Sequence, residues 1–452
     1  MPWRRHAPTV TTRKSCADNA GFRGYRPGVN YAEALNHLHS LKAFGFQPGL
    51  DNTRRLAAAV GNPEAGLRFI HVAGTNGKGS TCAFIESMQR AAGRRTGLYT
   101  SPHLVRFGER IQVDRQPIPD ADLVRLVARL RDAAPKDFEP SFFEFTTIVA
   151  LMWFAERKVD VVVWETGLGG RLDATNIVTP LASVITSIGL DHTQVLGPTI
   201  GDIAREKAGI IKPGVPVVTS AEAVDALAVI RHRARELDSP CLVVDRTASE
   251  RLTTPVSLPG PHQRLNAATA AATCRLLRPI LPCSDGQLAQ GLAHTEWPAR
   301  MQRIERDGRL WILDGAHNRD GVAVFRQALE EGFPGRRPTL VVAMLRDKAW
   351  REMLADLASV AGRFVVAPVN SPRTVSAEEM KEALKEAGCN RPIRTVASGA
   401  EALKAVSADP FVAFTGSLYF LGEILEQIEG KPTPDGDERG LNEWGGGVRG
   451  VR

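Results

Sequence analysis

An α/β architecture in two successive parts is the fold this sequence predicts, and three observations predict it. Short apolar, β-rich runs alternate with longer amphipathic ones from Leu67 to Ala182, the pattern of a parallel sheet with crossover helices. A glycine-rich segment with one lysine, VAGTNGKGS (Val72 to Ser80), falls between the first such run and the helical pattern that follows. A second alternating series begins after Trp297-Pro298, where a proline interrupts a polar stretch and sets a domain boundary near residues 297 to 300.

Taken in order, FIHVAG (Phe69 to Gly74) is a buried-strand candidate, followed by a helix over Gly79 to Ala92 and a strand over Thr96 to Thr100, which completes a βαβ unit. A helix around Phe143 to Arg157 leads into VDVVVWE (Val159 to Glu165), whose near-continuous apolar character fits a central parallel strand. ASVITSIG (Ala182 to Gly189) is the next strand. The second series consists of LWILD (Leu310 to Asp314), TLVVAML (Thr339 to Leu345), RFVVAPV (Arg363 to Val369) and FVAFTG (Phe411 to Gly416), with helical patterns between them.

The ends read differently. Residues 1-29 form a basic N-terminal extension, nearly acid-free up to Tyr25 and lacking the apolar segment of a secretory signal. It reads as untargeted, although an organelle transit segment shares its Arg-rich, Ser/Thr-bearing composition. From Lys431 the chain is rich in Pro, Gly and charge and ends GGGVRGVR, so residues 431-452 are predicted to be a disordered tail. The two domains then span 30-297 and 298-430.

At 452 residues the chain is long enough for two or three domains, and 43% hydrophobic with 24% charged residues places it among globular proteins. No apolar run approaches the roughly 20 residues of a membrane helix. The six cysteines are scattered, without CxxC pairs or ligand-like spacing to histidine, as in a protein of the reducing cytoplasm. The net charge of +7 is interleaved with acids rather than gathered in one block, which argues against nucleic acid and for a polyanionic small substrate.

Of the local signals, the glycine-rich loop is the strongest. Its glycines let backbone N–H groups turn toward phosphate oxygens, the helix start adds partial positive charge, and Lys78 can reach the terminal phosphates. Thr75, Asn76, Gly77, Lys78, Gly79 and Ser80 form the expected cradle. The spacing departs from GxxxxGK[ST], since Gly74 lies four residues before the lysine and Gly79 separates Lys78 from Ser80. An unliganded turn is the plainer alternative; the position between strand and helix favours the cradle. The fold class is accordingly a P-loop-containing parallel-sheet ATPase domain followed by a smaller Rossmann-like α/β C-terminal domain.

Ligands of open α/β sheets bind beyond the carboxyl ends of the strands. Glu165 stands at such an end, ahead of the glycine-rich Thr166 to Arg171, and Asp191-His192 follows the strand that ends near Ile188. Carboxylate, imidazole and a serine hydroxyl beside a triphosphate suit magnesium, which favours oxygen donors. Taken singly, the glutamate reads as a solvated residue or helix cap and the histidine as an ordinary hydrogen-bonding group; beside the phosphate loop they read as a site.

GTNGKGS, YTSPHLVRFGERIQV (Tyr99 to Val113), FFEFTT (Phe142 to Thr147), ETGLGGRLDATN (Glu165 to Asn176), GLDHT (Gly189 to Thr193) and REKAGIIK (Arg205 to Lys212) occur in that order, followed by HQRLNA (His262 to Ala267), WPARMQ (Trp297 to Gln302) and LDGAHN (Leu313 to Asn318). On these motifs the chain resembles the folylpolyglutamate and dihydrofolate synthases of the Mur ligase superfamily, over roughly residues 30 to 425. The resemblance implies a catalytic set of Lys78, Glu165, His192 and Lys207. It implies magnesium, as a pair of ions, held by Ser101, Glu165 and His192 with Ser80 close by, and a carbamylated Lys207 as a further oxygen ligand. For ATP it implies Asn266 at the adenine, Arg300 and Asp314 at phosphates and ribose, and His317 nearby. For the pterin-bearing substrate it implies Phe142, Phe143, Glu144 and Phe145 together with Leu172, Asp173 and Ala174.

The implied activity is that of an ATP-dependent amide ligase that adds L-glutamate to dihydropteroate, to folate polyglutamates, or to both. A substrate carboxylate takes the γ-phosphoryl group, and glutamate nitrogen captures the acyl phosphate. Such chemistry needs positioning and charge neutralisation rather than a nucleophilic triad, and no GxSxG or catalytic-cysteine context is present. The expected partners are ATP, L-glutamate and dihydropteroate or reduced folates, for a cytoplasmic monomer that closes about residue 298. Two alternatives stand beside this one. Another Mur-type amino-acid ligase would place a nucleotide-sugar domain ahead of the phosphate loop, where only about 70 residues are present; a nucleotide-gated binding protein would hold ATP without ligation.

Overall fold

The computed structural model describes residues 30–44, 49–430 and 438–442. The basic extension at 1–29 lies outside the described residues, as do 431–437 and 443–452 of the expected tail.

The first sheet comprises β1 (Phe69–Ala73), β2 (Thr96–Tyr99), β3 (Ile111–Val113), β4 (Gln116–Pro117), β5 (Val161–Glu165), β6 (Ala182–Ile185), β7 (Val217–Thr219) and β8 (Cys241–Val243). Their order is β4-β3-β2-β5-β1-β6-β7-β8, parallel from β2 to β8 with an antiparallel edge at β3 and β4. The chain leaves β1 toward β2 on one side and later reaches β6 on the other, so β1 stands at the point where strand order reverses. β1 and β5 are buried along their whole length, which explains why their sequences are apolar without alternation.

The second sheet comprises β9 (Gln302–Arg306), β10 (Arg309–Leu313), β11 (Thr339–Val342), β12 (Arg363–Val366), β13 (Ile393–Thr395) and β14 (Phe411–Thr415), in the order β13-β12-β11-β14-β10-β9. All pairs are parallel except β9 with β10. That hairpin turns at Asp307-Gly308, both at positive φ, an Asp-Gly turn of the kind that matches strand twist. The α/β fold expected from the sequence is therefore the one observed. The strands at or next to the sheet edges, β3, β4, β7, β8, β9 and β13, are additions to it, too short or too polar to stand out as apolar runs.

On one face of the first sheet, the helix Lys78–Ala91 packs with Pro261–Leu276 and Asp285–Ala293. The other face is covered by Phe142–Glu156, against which Tyr31–Leu41, Asp51–Ala59 and Asp120–Ala133 pack. The helix at Phe142 starts from a capping box, in which the Ser141 and Glu144 side chains each bond the other's backbone N–H.

One expectation is corrected. Within the predicted disordered tail, Arg439–Asn442 forms a short 3₁₀ turn, and Glu438, Leu441 and Asn442 are buried. Leu441 joins the first domain's core beside the helix Tyr31–Leu41, and ion pairs of Glu438 with Arg106 and of Arg439 with Glu426 help hold the segment.

The second domain docks by its final helix, Leu418–Glu429, against the loop after β2. Gly422 sits so close to the Leu104 carbonyl that any Cβ would collide with it. Gly422→Val is therefore expected to lower the unfolding free energy by about 1–3 kcal/mol, measured by urea titration; an unchanged midpoint would contradict this docking.

Candidate active site

A cavity of about 560 Å³ lies over the carboxyl ends of β1, β5 and β6 and extends between the two domains. Three loops meet there because their strands are in register: Val72 pairs with Glu165 and with Val184. Of the residues singled out from the sequence, all but Phe145 line this one cavity.

The glycine-rich loop leaves β1 at Gly74, whose missing Cβ would overlap the Thr186 hydroxyl, and ends at Gly77 (φ +85°), the N-cap of the helix Lys78–Ala91. It is tied to the segment after β6 by Thr75 N–H to Ser187 O at 2.7 Å and by the Thr186 hydroxyl to Asn76 O at 2.7 Å. Lys78 Nζ donates to the loop's own carbonyls, Gly74 O at 3.1 Å and Thr75 O at 3.3 Å. The Ser80 hydroxyl is buried without a hydrogen-bond partner among the described residues.

Glu165 closes β5 and accepts from the Ser101 N–H at 3.1 Å. Burial pushes its carboxyl up to about 7, against the pull of Lys78, the Ser101 N–H and Arg300. Lys207, on the helix Ile200–Ala208, points inward and donates to Gly74 O at 2.7 Å. Burial, then the charge of Lys78, draws its ammonium down to about 7. Lys207 is thus buried, at 4% exposure.

His192 (φ +50°) projects from the loop after β6, its imidazole held below its usual range by burial and then by Lys348. Burial opposes ionisation of neighbouring Asp191, but Lys348, His192 and His317 together outweigh it and hold that carboxyl well below the usual carboxylate range. Lys348 Nζ donates to Asp191 Oδ1 at 2.6 Å, joining the second domain to the first. A further bridge is made by Asn318, the N-cap of the helix Arg319–Gly332. Its side-chain NH₂ donates to Asn76 Oδ1 at 3.0 Å and Asp191 Oδ2 at 3.1 Å, while Asn76 donates back to Asn318 Oδ1 at 3.2 Å.

Arg300 is half-buried near Glu165 and Asp314; burial disfavours its cation, and the charges of Asp314 and Glu165 favour it. The flanking Ala299 and Met301 both adopt positive φ, a conformation costly for residues with a Cβ. Asp314 pins this bend by accepting from Met301 N–H at 2.8 Å and Ala316 N–H at 3.0 Å. The His317 Nδ1 donates to Gly315 O at 2.7 Å, and burial and Lys348 lower its pKa to about 4, leaving a neutral ring with Nε2 as acceptor. Asn266 borders Gly77 and is held by Gln263 at 3.1 Å.

Comparison with known proteins now bears on this geometry. Residues 299–418 match the family model "Mur ligase, glutamate ligase domain". The dihydrofolate synthase/folylpolyglutamate synthase of Bacillus subtilis is 37% identical over 429 residues, covering 88% of this chain and 99% of that protein. The folylpolyglutamate synthase of Lacticaseibacillus casei is 37% identical over 89% of this chain and 99% of its own length. The chain belongs to the folylpolyglutamate synthase/dihydrofolate synthase family. Solved members agree in fold: E. coli FolC in complex with DHPP and ADP superposes with a TM-score of 0.80 at 33% identity, covering 89% of this chain and 98% of that one. For the Thermotoga maritima folylpolyglutamate synthase the TM-score is 0.77 at 32% identity, over 88% and 97%. As a member of this family the chain is an ATP-dependent ligase.

Within this family's site, one of the residues expected at the pterin end needs correction. Phe145 is 1% exposed and stacks edge-on with His37 at 5.1 Å; its ring packs in the first domain's core instead of facing the cavity. Glu144 does border the cavity, but its carboxylate is engaged by Ser141 and Thr53. Asp173 likewise accepts from Leu168 N–H and from the Thr175 N–H and hydroxyl, so both carboxylates are held in fixed positions at the cavity wall. Lys348 was not singled out, although RDK directly follows the run containing β11, where strand-end position alone would nominate it.

Between its folded value of about 7 and its ordinary 10.5, Lys207 is neutral in the folded protein and protonated in the unfolded chain, so raising pH favours folding. The stability of the wild type relative to Lys207→Met should therefore climb across that interval in urea titrations. A flat difference would show an unperturbed lysine.

Proposed function

We propose that this ligase transfers L-glutamate onto dihydropteroate, folate polyglutamates, or both, through an acyl phosphate. The observation that carries the reading is the convergence of phosphate loop, buried acid, buried lysine and second-domain arginine on one cavity, in a chain that spans nearly the full length of its curated relatives.

In this reading the backbone N–H groups of Thr75 to Ser80 and the ammonium of Lys78 hold the triphosphate, Asn266 meets the adenine, and Arg300, Asp314 and His317 meet phosphate and ribose from the second domain. The rings of Phe142 and Phe143, with Leu172 and Ala174, receive the pterin end of the substrate. A substrate carboxylate oxygen attacks the γ-phosphorus, the bond to ADP breaks, and an acyl phosphate remains. The neutral amine of glutamate then attacks the acyl carbon, phosphate leaves, and the nitrogen gives up a proton as the amide forms. Arg300 and Lys78, fixed before substrate arrives, offset the charge that develops.

Magnesium fits the donors present: the Glu165 carboxylate, a neutral His192 imidazole, Ser101, and the buried Ser80 hydroxyl that has no partner among the described residues. When bound, it supplies Lewis-acid neutralisation of phosphate oxygens. A Lys207 carbamate would add an oxygen ligand, and a depressed amine pKa favours the neutral form that adds to carbon dioxide. The protein is proposed to act as a cytoplasmic monomer.

Incubation with dihydropteroate, L-glutamate and ATP should release ADP and yield the glutamylated product by mass spectrometry; tight ATP binding without turnover would point to a nucleotide-gated binder. Lys78→Ala and Glu165→Ala should each reduce turnover at least about 100-fold with unchanged circular dichroism. Depleting carbon dioxide should lower wild-type activity reversibly, and indifference to bicarbonate would remove the carbamate.

A further inference from the structure

Arg110, just ahead of β3, lines the cavity at 4% exposure and makes no ion pair among the described residues. Its Nε donates to His103 Nδ1 at 2.8 Å and one terminal nitrogen to Asn442 Oδ1 at 2.6 Å, both neutral acceptors. Its guanidinium also lies 5.3 Å from the centre of the Phe142 ring. Taking a cation out of water without a counter-ion costs several kcal/mol, and such a cost is tolerated where an anion is to be bound.

The hold on Arg110 is built by the C-terminal segment. Asn442 also donates through Nδ2 to His103 O at 2.9 Å and accepts at its own carbonyl from the Tyr419 hydroxyl at 2.7 Å. His103, already an acceptor at Nδ1, donates through Nε2 to Glu438 O at 2.8 Å. The segment is footed on both domains, by Glu438 to Arg106 at 2.8 Å and by Arg439 to Glu426 at 2.8 Å. Its residues thus complete a buried amide and imidazole collar around one cation.

We propose that Arg110 binds a carboxylate of the pterin-bearing substrate and that Asn442, reaching across from the C-terminal segment, is its positioning residue. This rests on the function proposed above. A substrate whose ring meets Phe142 and whose carboxylate approaches the triphosphate beside Glu165 passes Arg110, which stands against that ring and whose charge is felt at Glu165.

Two variants and one truncated ligand test it in the full-length protein. Asn442→Ala frees the guanidinium, and Asn442→Asp keeps the contact but gives Arg110 an internal carboxylate that competes with the substrate. Each should raise KM for dihydropteroate about 10-fold, as expected for one charge-assisted hydrogen bond, with kcat changed less and KM for ATP unchanged. By calorimetry, wild type should prefer dihydropteroate to its carboxyl-free analogue, and both variants should lose most of that preference. Turnover by wild type with wild-type KM in both variants overturns the proposal. So does equal wild-type affinity for the two ligands. Wild-type discrimination by carboxylate that the variants lose, without product formation, would sustain the carboxylate site and sink the ligase reading.

Discussion

Val72 of β1 faces Glu165 of β5 on one side and Val184 of β6 on the other, and this lateral register sets the height at which everything catalytic emerges. Parallel strands deliver their carboxyl ends to the same rim, and at the strand that reverses the order the crossover helices part and leave a crevice. The glycine-rich loop, the buried glutamate and the segment carrying Asp191 and His192 are neighbours for that reason alone. A slip of one residue in β5 would turn Glu165 to the opposite face of the sheet.

The rim is expensive. Glu165, Lys207 and Asp314 are removed from water within one cavity beside a half-buried Arg300, and the displaced acid and lysine equilibria record the cost. What offsets it is mutual: Lys78 and Arg300 favour the Glu165 anion, and Asp314 favours the Arg300 cation. Arg300 is held by a backbone bend with positive φ on either side, itself pinned by Asp314. The charges thus stand in place before any ligand arrives, which is how a protein stabilises transition-state charge without reorganising at the moment of reaction.

Much of this was legible in the sequence because the central strands are buried on both faces and therefore spell continuous apolar runs, and because acids at their ends are conspicuous. The glycines of the phosphate loop were legible too, since Gly74 and Gly77 answer to close approach and positive φ. The peripheral strands were not, because β4 and β9 carry polar residues toward water. Nor was the inward turn of Phe145, which depends on helix phase rather than residue type. The order of Glu438 to Asn442 could not be read from composition, since one leucine finding a distant core is a tertiary event. The burial of Lys207 was not legible for the same reason: only the packing of its helix against the body of the domain removes it from solvent.

The side chains of Asn76 and Asn318 face each other as reciprocal amides, each giving one hydrogen and taking one. Nothing in that handshake titrates, and ionic strength has no grip on it, unlike the ammonium and carboxylate of Lys348 and Asp191 beside it. The seam between the halves of the molecule therefore has a component that brine or acid can loosen and another that yields only to a competitor for amide hydrogen bonds. Since Asn76 belongs to the loop proposed to take the triphosphate, the second component is the one a nucleotide is placed to unfasten.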